Sequence, residues 1–169
     1  AGNSITTGHS NVLIGRAVAQ TATDLTSAIM IGYAAGASIN TNNSQGSVLI
    51  GYNAGATQTG GVNTFIGYDS GRYNNTGTYN TFVGHEAGTS ATGSSNSFFG
   101  YQAGKGGNSS APFSSGGNNT AIGANALDAF TTGASNTAVG ASAAGSLTTG
   151  ELNVFVGRNA GANSTISQR

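Results

Sequence analysis

Cysteine and tryptophan are missing from this 169-residue chain, Pro112 is its single proline, and only 6% of its residues are charged. Without cysteine there is no disulfide framework, no thiolate nucleophile and no zinc–thiolate site. Five basic residues balance five acidic ones, so no net field draws in phosphate backbones or anionic lipid, and nucleic acid is not an expected partner. No apolar run reaches the ~18 residues of a membrane span, and membrane insertion is not expected. The low charge is wrong for a helical bundle, while regularly spaced apolar residues argue against disorder.

What the chain does have is glycine, 29 residues of it, at regular intervals. A short apolar run ends in Gly15, Gly32, Gly51, Gly67, Gly84, Gly100, Gly123, Gly140 and Gly157, at spacings of 17, 19, 16, 17, 16, 23, 17 and 17 residues. Self-similarity at a period near 17 marks a solenoid with one supersecondary unit per repeat. The fold expected is all-β, a parallel β-solenoid (β-roll or β-helix) of about nine coils, each a strand, a corner, a second short strand and a corner. Residues 1–169 form one repeat domain. Because the chain begins at Ala1 and repeats run close to both termini, it reads as an excerpt of a longer fibre or a processed product.

Within each run, the residue before the glycine (Ile14, Ile66 or Val83) and the one three before it (Val12, Thr64 or Thr81) lie two apart and share one strand face. Both columns are rich in β-branched residues and are assigned to the coil interior. The column between them includes Phe65, Phe82, Phe98 and Phe155 and points the other way. Placed outside, it would leave an apolar stripe in water. These phenylalanines are therefore expected to form a chain–chain interface in a parallel homotrimer or higher homo-oligomer.

Four residues before the glycine, seven of nine coils carry asparagine, including Asn63, Asn80, Asn96, Asn119, Asn136 and Asn153. Stacked at the ~4.8 Å strand spacing, these amides can form a structural ladder. Three residues further upstream stand Gly8, Gly60, Gly77, Gly93, Gly116, Gly133 and Gly150, read as turns that need positive φ. Ala-Gly pairs such as Ala87-Gly88 mark the second corner.

Catalysis needs a nucleophile, a base and an orienting group in one pocket. His9, His85 and the five acids are thinly spread over different coils, so no enzyme, catalytic residue or cofactor is expected. Asp69 and Glu86 occupy equivalent positions in successive coils. Oxygen ligation of calcium there is weighed against a solvated polar edge, and the polar edge is preferred. The column after the glycine holds Tyr33, Tyr52, Tyr68 and Tyr101, which suits either sugar stacking or packing between coils. The one long insertion, Lys105 to Gly117, carries Pro112 and Phe113 and is the first choice for a receptor-contact loop. A smaller insertion spans Ile39 to Gly46.

The recurring unit, as in TGTYNTFVGHEAG and TTGELNVFVGRNAG, resembles the NTAIG-repeat segments of bacteriophage tail fibres, related to the β-roll heads of trimeric autotransporter adhesins. The resemblance covers essentially the whole chain. It implies a trimeric extracellular fibre, a virion tail fibre in host attachment, with a cell-surface glycan or receptor as partner. The alternatives are an autotransporter adhesin head and a purely structural self-assembling filament. The period is longer than in adhesin heads, phenylalanine replaces alanine in the central column of four coils, and no catalytic residue carries over.

Overall fold

A computed structural model describes residues 1–39, 45–107 and 113–165. It contains nine three-residue strands: β1 (Val12–Ile14), β2 (Ile29–Ile31), β3 (Val48–Ile50), β4 (Thr64–Ile66), β5 (Thr81–Val83), β6 (Ser97–Phe99), β7 (Thr120–Ile122), β8 (Thr137–Val139) and β9 (Val154–Val156). They form one parallel sheet in sequential order. Equivalent residues pair throughout, so Phe65 lies opposite Phe82 and Phe82 opposite Phe98. The chain is a β-solenoid with a period near 17 residues and no helix among the described residues. Coils are numbered here by their strand; at one strand spacing per coil, the stack is roughly 40 Å long. The expected second strand is replaced by consecutive turns, leaving one sheet.

Local conformation explains those turns. Two residues after each closing glycine the backbone is left-handed, from Ala17 (φ 58°) through Asn53, Asp69, Glu86 and Gln102 to Asn159 (φ 59°). Two residues further on it is left-handed again, at Gly71, Gly88 and Gly104 (φ 58°, 58° and 55°). Alternating handedness curls the backbone out of the extended path, and each turn's N–H groups then bond to the adjacent coil, as Gly71 N–H does to Ala87 O at 3.0 Å.

The orientation of the strands reverses the expectation from sequence. The central column is inside: Phe65, Phe82 and Phe98 are fully buried, with consecutive ring centroids 4.8 Å apart. Phe155, in the last coil, is partly buried against the same core. None of the first three can meet another chain, and Phe155 packs inward with them. Ile14 and Ile66, expected inside, face out, and Val83 is half-buried. The reason is size matching across the coil. Left-handed Gly71, Gly88 and Gly104 lie on the rings of Phe65, Phe82 and Phe98, where an added Cβ would come within 2.5 Å, 2.3 Å and 2.3 Å of ring carbon. Where the central residue is Ala121, that turn position holds Leu127 instead, and Phe130 and Leu147 supply further core volume. Close packing demands that the coil interior be filled, and in coil 8, where both positions are alanine (Ala138 and Ala144), Leu147 joins the core.

The Thr-Gly corners also differ in cause from the expectation. Gly60, Gly77, Gly93 and Gly116 are not left-handed. They are required because a Cβ would strike the next coil's backbone, 2.4 Å from Gly77 O, 2.4 Å from Gly93 O, 2.2 Å from Gly116 O and 1.9 Å from Gly133 O respectively.

Truncating Phe82→Ala should destabilise the fold by about 3–5 kcal/mol. Adding Gly88→Leu, which recreates the Ala121/Leu127 arrangement, should recover part of that loss in denaturant titration. A double variant as unstable as the single one would overturn the size-matching account.

Candidate functional site

Three columns run beside one another along the stack, and each is built by repetition of a single turn. The asparagine column is buried. Each side-chain Oδ1 accepts the backbone N–H of the next asparagine: Asn80 from Asn96 at 2.8 Å, Asn96 from Asn119 at 2.8 Å, and Asn119 from Asn136 at 2.9 Å. From Asn63 to Asn136 each Nδ2 donates to a corner glycine carbonyl one coil on, as Asn63 does to Gly77 O at 2.8 Å and Asn96 to Gly116 O at 3.1 Å. The ladder therefore joins amides to backbone more than amide to amide. Direct amide contacts occur from Asn136 to Asn119 (3.2 Å) and from Asn153 to Asn136 (3.0 Å). In coil 3, Ser47 Oγ substitutes, accepting from Asn63 N–H and from Gln58 Nε2.

The second column follows the closing glycines on the outside. Tyr33, Tyr52 and Tyr68 stack face to face with centroids 5.1 and 5.0 Å apart, His85 continues the stack at 4.9 Å, and Tyr101 follows at 5.5 Å with a tilt of 30°. Arg16 lies over Tyr33, 5.7 Å from its centroid. Parallel strands at one spacing bring these rings into mutual contact, so their faces cover one another. Edges and hydroxyl groups remain exposed, which supports the packing reading of Tyr33, Tyr52 and Tyr68. Sugar stacking needs an open face, and between these coils the faces are taken.

The third column is the polar edge two residues after the glycine. Asn53 Nδ2 donates to Asp69 Oδ1 at 3.0 Å, and Gln102 Nε2 to Glu86 Oε2 at 2.7 Å. Each carboxylate also meets a cation three or nineteen residues on: Arg72 is 3.1 Å from Asp69, and Lys105 is 2.9 Å from Glu86. The Lys105 ammonium, bonding to the Glu86 carboxylate, holds its pKa below the usual carboxylate range, with the Gln102 bond assisting and desolvation opposing. Asp69 and Glu86 thus have cationic and amide partners within the chain, and no group of three or more metal-ligating side chains occurs among the described residues.

Of the insertion, Lys105–Gly107 and Phe113–Gly117 are described; Pro112 lies outside the described residues, as does most of the smaller insertion after Ile39. The described residues after Pro112 lie against the stack. Ser114 forms a parallel bridge to Ala91, and Phe113 stacks on Tyr73, two coils back, at 5.1 Å. Arg72 covers Tyr73, 4.9 Å from its centroid. The cluster Arg72, Tyr73, Phe113 clamps the insertion to coil 4. Comparison with protein-family models, curated proteins and solved structures finds no match for this chain. Function must accordingly be argued from its own surfaces.

Sequence reasoning missed one feature of those surfaces. The residue before the asparagine column is left-handed in all nine coils, and in two neighbouring ones it is large and exposed: Val62 (φ 57°) and Tyr79 (φ 60°). The signal available was a bulky pair in a column otherwise occupied by serine, asparagine, glycine and Leu152.

Two measurements check this geometry. Asn96→Ala strands the buried N–H of Asn119 and should cost about 1–3 kcal/mol in chemical denaturation. The Glu86 pKa is depressed on folding, so its contribution is present above the ordinary carboxylate range and fades as pH falls through the folded value. In Lys105→Met, the Glu86 carboxyl signal in an NMR titration should move to higher pH, and stability near neutral pH should fall while its further loss on acidification becomes smaller.

Proposed function

We propose that this chain is a non-enzymatic rod segment of an extracellular fibre, in which identical copies pack side by side in parallel, most simply as a homotrimer. The observation that carries the reading is the outward face of the sheet. Val12, Ile14, Ile29, Ile66, Phe99, Ile122, Val154 and Val156 are each exposed by more than a third. The column before the closing glycine is apolar in all nine strands, and the other outward column adds Val12, Ile29, Val48 and Val154 at the two ends while β4 to β8 carry Thr or Ser there. An apolar stripe of this extent is costly in water and marks an interaction surface. Because it repeats at one strand spacing, a second copy in parallel offers the matching ridges at every coil. The expected conclusion, that copies cover an apolar stripe, thus transfers to a different set of residues.

A stiff stack of coils spaces any surface group at fixed intervals, so weak contacts by several copies act together. Host attachment by a virion tail fibre is the setting in which the repeat resemblance and this mechanics agree. The ring faces of Tyr33, Tyr52 and Tyr68 are taken up by stacking, so attachment falls to the corners rather than to the ladder. The clamp of Phe113 on Tyr73 supports a shaft role for the described part of that insertion.

Sedimentation equilibrium tests the assembly. The chain should sediment as a compact oligomer, and the double variant Ile66→Asp/Ile122→Asp, altering exposed side chains at the two positions, should sediment as a monomer with an unchanged β circular dichroism spectrum. A monomeric parent chain at tens of micromolar overturns the reading.

A further inference from the structure

Strain and shape coincide at one place on this molecule. Val62 and Tyr79 occupy equivalent positions in coils 4 and 5, immediately before Asn63 and Asn80. Both have left-handed backbone, φ 57° and 60°. For a β-branched or bulky residue that conformation is an outlier, and other coils make the same left-handed corner with small polar residues, Ser10, Ser27, Ser95, Asn118 and Ser135. Leu152 repeats the bulky choice in coil 9, with Ser135 rather than a second large residue beside it. The strain at Val62 and Tyr79 has no return in core packing, because their side chains are 53% and 68% exposed. A strained, exposed apolar pair points to function.

Beside that pair lies a cavity of about 330 Å³, lined by Val62 and Tyr79 and by Thr59, Thr76 and Thr78. Gly60 and Gly61 complete the lining. The volume sits at the small end of ligand pockets, roughly 300–1,000 Å³. Tyr79 stacks on no other ring among the described residues, in contrast to Tyr33, Tyr52 and Tyr68, so it offers an open aromatic face. The threonines place hydroxyl groups around that face; Thr78 Oγ1 is 3.3 Å from Ser94 Oγ. No charged side chain lines the cavity.

We propose that this corner groove binds a neutral pyranose, with its apolar C–H face on the Tyr79 ring, its edge against Val62 and its hydroxyl groups toward Thr76 and Thr78. An open aromatic face selects a ring with one apolar side. Neutral hydroxyl partners suit a polyol, and the absence of a cation in the lining disfavours a uronate or sialate. A purely apolar ligand would take the exposed Thr76 hydroxyl out of water without a partner. In a parallel oligomer the groove repeats once per copy at one height, so a weakly bound sugar is held by several sites together. The proposal takes its biological setting from the attachment reading, but the binding itself does not depend on assembly.

The test is an NMR titration of the full chain, with Tyr79 ring and threonine methyl signals assigned. The probes are methyl α-glucopyranoside, methyl β-galactopyranoside and methyl N-acetyl-β-glucosaminide, with glucuronate as the anionic comparison. At least one neutral probe should shift Tyr79, Thr76 and Thr78 together with a saturable millimolar curve, and glucuronate should bind more weakly. Tyr79→Ser, which installs the coil-6 residue at this corner, should weaken binding about tenfold or more while thermal stability holds or rises from released strain. Sedimentation of the same samples reports assembly separately, so a failed titration with an intact oligomer counts against the groove alone. The proposal is overturned if no neutral probe moves Tyr79, if Tyr79→Ser binds as the parent does, if glucuronate binds as tightly, or if Tyr79 shifts follow protein concentration instead of sugar.

Discussion

The structure depends on one steric condition: every coil must follow its neighbour's path at a single strand spacing. At the closing glycines and at the Thr-Gly corners the backbones approach so closely that a Cβ at Gly84 would sit 2.2 Å from Gly100 O, and one at Gly93 2.2 Å from Gly116 O. Any side chain there would wedge the coils apart and break the hydrogen bonds that run between them. Glycine at these positions is therefore the residue on which the stack rests, for left-handed geometry at the first and for clearance at the second.

Once the coils are held in register, each position becomes a column and is solved as a column. Phenylalanine stacks on phenylalanine inside, tyrosine on tyrosine outside, and asparagine oxygen meets the next asparagine's N–H in between. Where the column chemistry would be unfavourable, a neighbouring position compensates. Asp69 and Glu86 follow one another on the polar edge, and each has its own cation, Arg72 and Lys105, and its own amide, Asn53 and Gln102. Where the core column shrinks to Ala121, Leu127 and Phe130 fill the space from across the coil. The same logic explains why a ladder of exposed tyrosines makes a poor sugar platform: the spacing that aligns the rings also closes their faces.

The period, the strand positions and the inter-coil register were all legible in the glycine spacing, and the nine strands fall on the apolar runs as read. The direction of the strands was not. A three-residue strand such as Thr64-Phe65-Ile66 is apolar or β-branched on both sides, so alternation gives no preference for either face. The reading that put Ile66 inside and Phe65 outside was consistent with the strand taken alone. What decides between them is the partner across the coil, and seven of the nine repeats carried that signal: the large central residues Met30, Leu49, Phe65, Phe82, Phe98 and Phe155 accompany a glycine six residues later and Ala121 accompanies leucine, whereas Leu13 and Ala138 both accompany alanine. The asparagines were read as an amide ladder; in the fold Asn63, Asn80, Asn96, Asn119 and Asn136 donate to corner glycine carbonyls, so most of their partners are backbone groups.

Repetition, then, was determined by sequence alone: a period near 17, one strand per repeat and columns of like residues follow from local patterning because a solenoid contains only nearest-neighbour information. Which face of each strand is core, which tyrosines have open rings and where the insertion returns were decided by tertiary structure. Those properties depend on how the left-handed turns carry the chain back across the sheet, a path that brings Gly88 onto Phe82, Phe113 onto Tyr73, and leaves Val62 and Tyr79 in the open.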